Sequence, residues 1–168
     1  MGSLEAPFFM LDETKLKIFK SFLSWDECKK FLKAVPAVTS EKMSWEDRTV
    51  SILNWEITDR VTNYVNSYFN TTLQCYDSQI QLWPIGSYSM PHKHDEDGRE
   101  IGAWNAMIYL NHNYEGGHFV YPGGNFKPAA GTLTFFNGGK MYHGVTDVSK
   151  HHRYTMIFWF KQNGENNV

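Results

Sequence analysis

The stretch "RYTMIFWF", residues 153–160, decides the fold class because it is apolar or aromatic on both faces for most of its length. Successive side chains of a strand point to opposite faces, so such a run is typical of a strand that is covered on both sides. Other short runs of this kind, separated by Gly, Asn and Pro residues, fill the chain from Leu73 onward. They are "QIQLWPIG" (79–86), "WNAMIYLN" (104–111), "GHFVYP" (117–122) and "GTLTFFNG" (131–138). The second half of the chain is therefore predicted to be an array of antiparallel strands.

Two amphipathic segments precede these strands. Ser24 and Glu27 have the spacing of a capping box ahead of an apolar stripe, which predicts a helix that stops near Pro36. Residues 55–70, "WEITDRVTNYVNSYFN", repeat apolar residues at helical intervals, and Asn70 is expected to end this second helix. Two helices followed by many short strands predict an α+β, mainly β fold, a double-stranded β-helix (jelly roll) with supporting N-terminal helices.

Length predicts one domain. A chain of 168 residues is long enough for one domain with a substantial core and too short for two of ordinary size. We expect a single domain over residues 1–168, with helical support at about 14–70 and the jelly-roll core at about 73–161.

Charge and composition argue against several kinds of partner. Sixteen Lys and Arg residues against eighteen Asp and Glu residues give a net charge of -2, which predicts no binding to nucleic acid. No apolar run approaches the roughly 20 residues that span a bilayer, and no secretory signal is evident, so no membrane association is expected. Cys28 and Cys75 are the only cysteines, which argues against a disulfide framework. We expect a cytoplasmic monomer.

The segment "PHKHDEDG", residues 91–98, is the first candidate for a metal site. On an extended strand His92, His94 and Glu96 share one face, and imidazole with carboxylate is a ligand set for a divalent metal. A further ligand has to come from elsewhere, and His143 is the natural supplier because a second jelly-roll strand can bring it opposite the first. The alternative is a solvated acidic loop with incidental histidines. The remaining histidines lie in turns or beside glycines: His112, His118, His151 and His152.

Arg153 is the first candidate for an anion site. It begins an otherwise apolar strand, where a buried guanidinium is costly unless a carboxylate or phosphate pairs with it. Thr155 shares its face by strand alternation, so an Arg fork and a hydroxyl can meet on one bound anion. The alternative is that Arg153 lies at the exposed rim and pairs with a surface acid.

From about Gln79 to Phe160 the chain resembles the iron(II)- and 2-oxoglutarate-dependent oxygenases, in particular their prolyl hydroxylase-like branch. The segment "FKSFLSWDECKKFL" (19–32) is similar to the helix that often precedes that core. The resemblance rests on motifs in a consistent order: "QLWPIGSYSMPHKHDE" (81–96), "AMIYLN" (106–111), "YEGGHFVY" (114–121), "FKPAAGTLTFFNG" (126–138), "YHGVTDV" (142–148) and "RYTMIFWF" (153–160).

The resemblance implies roles for individual residues. His143 is implied as the distal iron ligand, and Arg153 as the partner of the far carboxylate of 2-oxoglutarate. Thr155 would add a hydroxyl to that carboxylate, and Tyr109 a further contact. No catalytic residue is implied beyond the metal ligands.

The first pair of iron ligands departs from the family pattern, which is His-x-Asp or His-x-Glu. His94 with Glu96 satisfies His-x-Glu and is our first choice. His92 fits better by its distance from Gly86, but its partner is then His94, which gives a three-histidine site. His92 with Asp95 is possible if a β-bulge resets the alternation.

The resemblance implies a dioxygenase that uses Fe(II) and 2-oxoglutarate, with ascorbate in support. It would hydroxylate an unactivated C–H bond, of a prolyl or other amino-acid residue in a small molecule, peptide or protein, and would convert dioxygen and 2-oxoglutarate with release of succinate. A cupin-type metal dioxygenase that does not use 2-oxoglutarate is one alternative, because Gly86 followed by His92-x-His94 resembles the first cupin motif. A non-catalytic jelly-roll binding module is the other.

Overall fold

The structure is a computed structural model that describes residues 10–35, 49–52, 54–94 and 104–162. It contains two helices and twelve strands over these ranges. The helices are α1 (Trp25–Ala34) and α2 (Trp55–Phe69). The strands are β1 (Lys17–Phe19), β2 (Thr49–Ile52), β3 (Leu73–Trp83), β4 (Ser89–His92), β5 (Trp104–Tyr109), β6 (Glu115–Gly116), β7 (Phe119–Tyr121), β8 (Gly124–Phe126), β9 (Leu133–Asn137), β10 (His143–Val145), β11 (Val148–Ser149) and β12 (Arg153–Gln162).

Both predicted helices are confirmed, with the predicted ends. The Ser24 hydroxyl accepts a hydrogen bond from the Glu27 amide (3.2 Å), and the Ser24 amide donates to the Glu27 carboxylate (2.8 Å), which satisfies two backbone N–H groups at the start of α1. Asn70 ends α2 in a left-handed conformation with φ 49°, a region that Asn adopts more readily than most residues. Neither described helix has the length and apolar character to span a membrane.

The strands form two main antiparallel sheets. The large sheet has the order β1-β9-β5-β12-β3-β2 and the small sheet the order β4-β10-β7-β8, while β11 and β6 make a two-stranded ribbon. β12 lies in the middle of the large sheet, between β5 and β3. This explains the apolar sequence of residues 153–160, since a central strand covered on both faces has little contact with water. The mainly β fold predicted from the sequence is confirmed.

The two faces of the large sheet pack against different layers. On one face the helices cover a core of aliphatic and aromatic side chains, which includes Ile57, Val61, Val65, Ile80, Ile108, Met156, Phe158 and Phe160. On the other face a second core joins the large sheet to the small one and includes Met107, Phe119, Phe136 and Ile157. The space between the two sheets is the interior of the jelly roll, where such folds hold ligands.

The N-terminal half differs from the sequence-based prediction in one respect. The segment predicted as helical support also contributes β1 and β2, which form the two edges of the large sheet through β9 and β3. These strands are three and four residues long. Such short segments are too short to show a periodic pattern in the sequence. In addition, β1 pairs with β9, more than a hundred residues away along the chain.

Candidate active site

His143 and His92 lie side by side on neighbouring strands of the small sheet. They are direct partners in the register of β10 and β4, and their ring centroids are 4.6 Å apart. Gly144 allows this approach, because a Cβ at that position would lie 2.5 Å from the carbonyl oxygen of Ser89. A second strand of the jelly roll thus brings His143 opposite His92.

His94 reaches the same point by a different route. The strand β4 ends at His92, so His94 lies beyond the regular strand, and the predicted row extends to Glu96, outside the described residues. Instead, the His94 amide donates to the carbonyl of Gly138 at 3.0 Å, which holds the chain against the loop after β9. Its Nε2 atom lies 3.0 Å from Nε2 of His143. One ring nitrogen from each of His92, His94 and His143 lies within 4.8 Å of the others.

The tautomers of two of these histidines suit metal binding. Nδ1 of His143 lies 3.0 Å from the carbonyl oxygen of Met141, and Nδ1 of His92 lies 2.9 Å from that of Met90. A carbonyl oxygen accepts but does not donate, so each Nδ1 carries the proton and each Nε2 keeps a lone pair. Burial lowers the pKa of His143 to about 3, so this imidazole stays neutral at physiological pH. Neutral imidazole is the form that binds metal ions.

The three histidines open onto a cavity between the two sheets. Its remaining walls are mainly apolar and aromatic, which limits the entry of water. They are formed by Gln81, Trp83, Ser89, Met107, Phe119, Phe136, Gly144, Val145, Ile157 and Trp159.

Arg153 is fully buried at the start of β12. Its side chain has 0% exposure, and none of its three guanidinium nitrogens has a hydrogen-bond partner among the residues that the structure describes. The guanidinium carbon lies 5.2 Å from the ring centroids of both Trp83 and Tyr109. The alternative of an exposed rim position paired with a surface acid is therefore wrong. Two aromatic faces stabilise the cation in part, but they leave its N–H donors unsatisfied.

Three hydroxyl groups near Arg153 are also buried without a hydrogen-bond partner in the described part of the chain. Thr155 lies two residues along β12 on the same face, and Tyr109 is its direct partner on β5. The hydroxyls of Thr155, Tyr109 and Tyr114 are all buried without a hydrogen-bond partner in the described part of the chain. Burial raises the pKa of Tyr109 to about 12, so this hydroxyl remains a neutral donor. Leaving one such group unsatisfied typically costs about 1–3 kcal/mol, so the cluster is suited to a ligand that accepts several hydrogen bonds.

Gly117 keeps this anion cluster compact. A Cβ at this position would lie 3.0 Å from the Tyr114 ring and 3.1 Å from Cδ of Arg153, and its φ of +60° also favours glycine. Sequence analysis singled out Arg153 and Thr155 but missed Tyr114. In the sequence Tyr114 stands just before the Gly pair 116–117, and this position does not indicate its contact with Arg153.

The metal cluster and the anion cluster share one interior. One face of β12 carries every second residue, namely Arg153, Thr155 and Ile157. Ile157 lines the cavity beside the histidines. Trp83 contacts both the metal site and the anion cluster, because it lines the cavity and its ring packs on the Arg153 guanidinium. Arg153 itself does not line the cavity. An oxygen-rich anion held by Arg153 and a metal held by the histidines would therefore lie on the same side of the large sheet.

Of the ligand sets considered from the sequence, the structure brings together the three histidines His92, His94 and His143. Glu96 and Asp95 lie outside the described residues, so their part in the site stays a prediction. Among the described residues no carboxylate joins the cluster. The other histidines are elsewhere and have their own contacts. His112 accepts from the Ala130 amide, His118 pairs with Asn125, and His152 accepts from the Ile85 amide.

Comparison with curated proteins gives partial sequence matches to prolyl 3-hydroxylase 2 of several vertebrates. Prolyl 3-hydroxylase 2 of Gallus gallus is 32% identical over 65 residues, a match that covers 34% of this chain and 9% of that protein. The chain thus spans a small part of the length of its curated relatives.

Solved structures share the fold over most of the chain. The viral collagen prolyl hydroxylase of Paramecium Bursaria Chlorella virus-1, in complex with 2-oxoglutarate, aligns with a TM-score of 0.67 at 19% identity and covers 88% of this chain and 95% of that one. HygX from Streptomyces hygroscopicus, solved with nickel, 2-oxoglutarate and hygromycin B, aligns with a TM-score of 0.64 at 14% identity and covers 90% of this chain and 84% of that one. At such identities the likeness establishes a common fold.

A family model also matches the chain. The model of the 2OG-Fe(II) oxygenase superfamily matches residues 76–161, just over half of the chain. This range runs from β3 to β12 and contains all three clustered histidines and Arg153. The chain belongs to the 2OG-Fe(II) oxygenase superfamily.

Proposed function

We propose that this protein is an Fe(II)- and 2-oxoglutarate-dependent hydroxylase. The observation that carries the proposal is Arg153, a fully buried cation whose guanidinium N–H groups have no protein partner in the described chain. Such a group is too costly to retain as a purely structural element, because desolvation of an unpaired charge is worth several kcal/mol. A dicarboxylate cosubstrate supplies the missing acceptors.

The residues present fit both groups. His92, His94 and His143 would hold Fe(II) through neutral imidazoles, and Glu96 remains a further candidate from outside the described residues. Arg153, with the hydroxyls of Thr155, Tyr109 and Tyr114, would hold one carboxylate of 2-oxoglutarate. When bound, iron and 2-oxoglutarate supply the oxidation: one oxygen atom of O₂ enters a substrate C–H bond and the other enters succinate, with release of CO₂.

The protein contributes orientation and exclusion of water. The carbonyls of Met90 and Met141 fix two histidine rings with Nε2 directed into the cluster. Trp83 keeps the Arg153 guanidinium in place by stacking on it, and the aromatic walls of the cavity keep water from the reacting atoms.

A prolyl residue is the substrate class we propose first. Support comes from the 32% identity to prolyl 3-hydroxylase 2 of Gallus gallus over 65 residues. Exposed apolar side chains flank the two histidine strands in sequence: Tyr88 precedes β4, Met90 lies within it and Tyr142 precedes His143, with 56%, 71% and 47% of their surfaces exposed. Aromatic and thioether side chains of this kind suit contact with a pyrrolidine ring.

A second candidate function follows from the cluster itself. His94 stands two residues after His92, where the His-x-Asp or His-x-Glu pattern has a carboxylate, and no carboxylate joins the cluster among the described residues. A domain that binds a metal and a small carboxylate without turnover would have the same features. The cupin-type alternative accounts for the histidines but leaves the anion cluster around Arg153 without a role.

Succinate formation from 2-oxoglutarate tests the hydroxylase. The assay contains Fe(II), ascorbate, O₂ and proline-containing peptides, and mass spectrometry detects the gain of one oxygen atom by the peptide. We expect turnover by the wild type, background levels for His143→Ala, and a rise of roughly 100-fold or more in the 2-oxoglutarate concentration required by Arg153→Ala. His118→Ala is the matched control, because this histidine pairs with Asn125 away from the cluster.

The same assay separates the ligand sets. Loss of turnover in His92→Ala and His94→Ala, with activity kept in Glu96→Ala, is the result expected for the three-histidine site. Tight binding of 2-oxoglutarate to the metal-loaded wild type without any succinate from any peptide would instead favour the binding module.

A further inference from the structure

Asn105 is a buried polar side chain to which no role has been given so far. It lies on β5 between Phe136 of β9 and Trp159 of β12, which are its partners in the sheet register. Its exposure is 0%, and neither its amide oxygen nor its amide nitrogen has a hydrogen-bond partner among the described residues. A side-chain amide in this condition costs about 1–3 kcal/mol relative to a satisfied one. It therefore requires an explanation outside packing.

The position of Asn105 points to the histidine cluster. A Cβ built on Gly138 would lie 2.4 Å from Oδ1 of Asn105, 2.5 Å from Nδ1 of His94 and 2.7 Å from Cε1 of His94. The two side chains thus converge on the same small volume beside Gly138. The backbone of His94 is held there too, by its hydrogen bond to the Gly138 carbonyl. Glycine at this position leaves the space between the two side chains open.

The other two histidines show what a group beside His94 would do. His92 and His143 each donate Nδ1–H to a carbonyl oxygen, which orients the ring and leaves Nε2 for the metal. Nε2 of His94 already lies in the cluster, 3.0 Å from Nε2 of His143, so Nδ1 is its outward atom. A histidine that binds metal through Nε2 carries its proton on Nδ1 and presents a donor there.

We propose that Asn105 positions His94 as the third metal ligand by accepting the Nδ1–H of His94 through Oδ1, in the space that Gly138 leaves open. The inference rests on the metal-binding part of the proposed function. It assigns to His94 the tautomer with the proton on Nδ1 and the lone pair on Nε2, and it fixes the orientation of the ring. It also gives the amide of Asn105 the partner that it lacks.

Metal affinity tests the inference without any turnover. The purified full chain is titrated with Co(II) alone, in the absence of 2-oxoglutarate and peptide, and the visible absorption of the ion reports both affinity and ligand geometry. We expect Asn105→Leu, which has a similar shape but no acceptor, to bind Co(II) 10- to 100-fold more weakly and to change the absorption spectrum. Asn105→Asp, which keeps an acceptor oxygen, should retain the affinity and the spectrum of the wild type.

Two further variants separate positioning from a general loss of structure. Gly138→Ala places a methyl group in the shared space while both Asn105 and His94 are kept, so it should weaken Co(II) binding in the same direction even if Asn105→Leu fails to fold. Asn125→Leu removes the amide partner of His118, a histidine outside the cluster, and should leave Co(II) binding unchanged.

Each outcome bears on the inference separately from the proposed function. Unchanged Co(II) affinity and spectrum in both Asn105→Leu and Gly138→Ala would overturn it, even if the wild type hydroxylates a substrate. Loss of affinity in Asn105→Asp equal to that in Asn105→Leu would also overturn it, since the acceptor would then be irrelevant. Weakened binding rescued by Asp would support the inference even in a protein that never forms succinate.

Discussion

The two faces of β12 differ in whether their buried polar groups have hydrogen-bond partners. On the face covered by the helices, Met156, Phe158 and Phe160 are fully buried among apolar neighbours. Thr58 and Ser78 near that face pair with each other, with 2.8 Å between their hydroxyl oxygens. On the interior face, Arg153 and Thr155 are equally buried but have no described partners.

This difference separates a structural core from a binding site within a single strand. A protein that satisfies its polar groups on one face has no general difficulty in doing so on the other. The unsatisfied donors of β12 lie on one face only, and they mark where a ligand completes the structure. Burial alone does not distinguish the faces, because both are closed to water.

The largest effect on stability should come from the helix-covered face. Phe158→Ala removes a fully buried ring from the core between the helices and the large sheet. We expect it to lower the free energy of unfolding by about 3–5 kcal/mol. Urea denaturation of the ligand-free protein measures this. A loss below about 1 kcal/mol would mean that this face is loosely packed and that the contrast between the faces is false.

A substitution on the interior face should have the opposite sign. Arg153→Met removes a buried charge that has no acceptor while keeping much of its volume. It also removes stacking on Trp83 and Tyr109, which offsets part of the gain. We expect the free energy of unfolding of the ligand-free protein to rise by on the order of 1 kcal/mol, since desolvation of an unpaired charge outweighs two aromatic contacts.

The same denaturation experiment checks the prediction for Arg153. A decrease of more than about 1 kcal/mol in Arg153→Met would indicate that the guanidinium has a stabilising partner in the ligand-free protein. Arg60→Met is a useful control, because Arg60 is paired with Glu27 at 2.6 Å on the surface and should lose a small amount of stability.

The smallest effect should come from the start of α1, far from both clusters. Ser24→Ala removes the hydroxyl that accepts from the Glu27 amide, and we expect the free energy of unfolding to fall by about 1 kcal/mol.

Hydrogen bonds from Ser24 and Arg60 lower the pKa of Glu27, so its ionised form stabilises the fold above its unfolded pKa. That contribution disappears as the pH falls through the lowered pKa. Glu27→Gln should therefore flatten the stability profile at acid pH, while 2-oxoglutarate binding stays unchanged.

Patterns within a single element were readable from the sequence. The covered strand at 153–160 and both helix ends follow from periodicity and capping. Features that depend on contacts between distant elements were not. The roles of Tyr114 and Asn105 depend on how strands approach Arg153 and His94, and no local pattern encodes that approach. The route of His94 into the cluster is another example, because β4 stops at His92 and His94 is held by the Gly138 carbonyl instead.

The unpaired Arg153 also links the folding equilibrium to the cosubstrate. A ligand that binds the folded chain alone adds RT ln(1 + [L]/Kd) to its stability, about 2.7 kcal/mol at a concentration one hundred times Kd. Without such a ligand the folded state bears the desolvation of the guanidinium. The population of folded protein would then vary with the supply of the dicarboxylate, and so would its resistance to proteolysis. A side chain retained for recognition thereby makes the lifetime of the whole molecule depend on its metabolite.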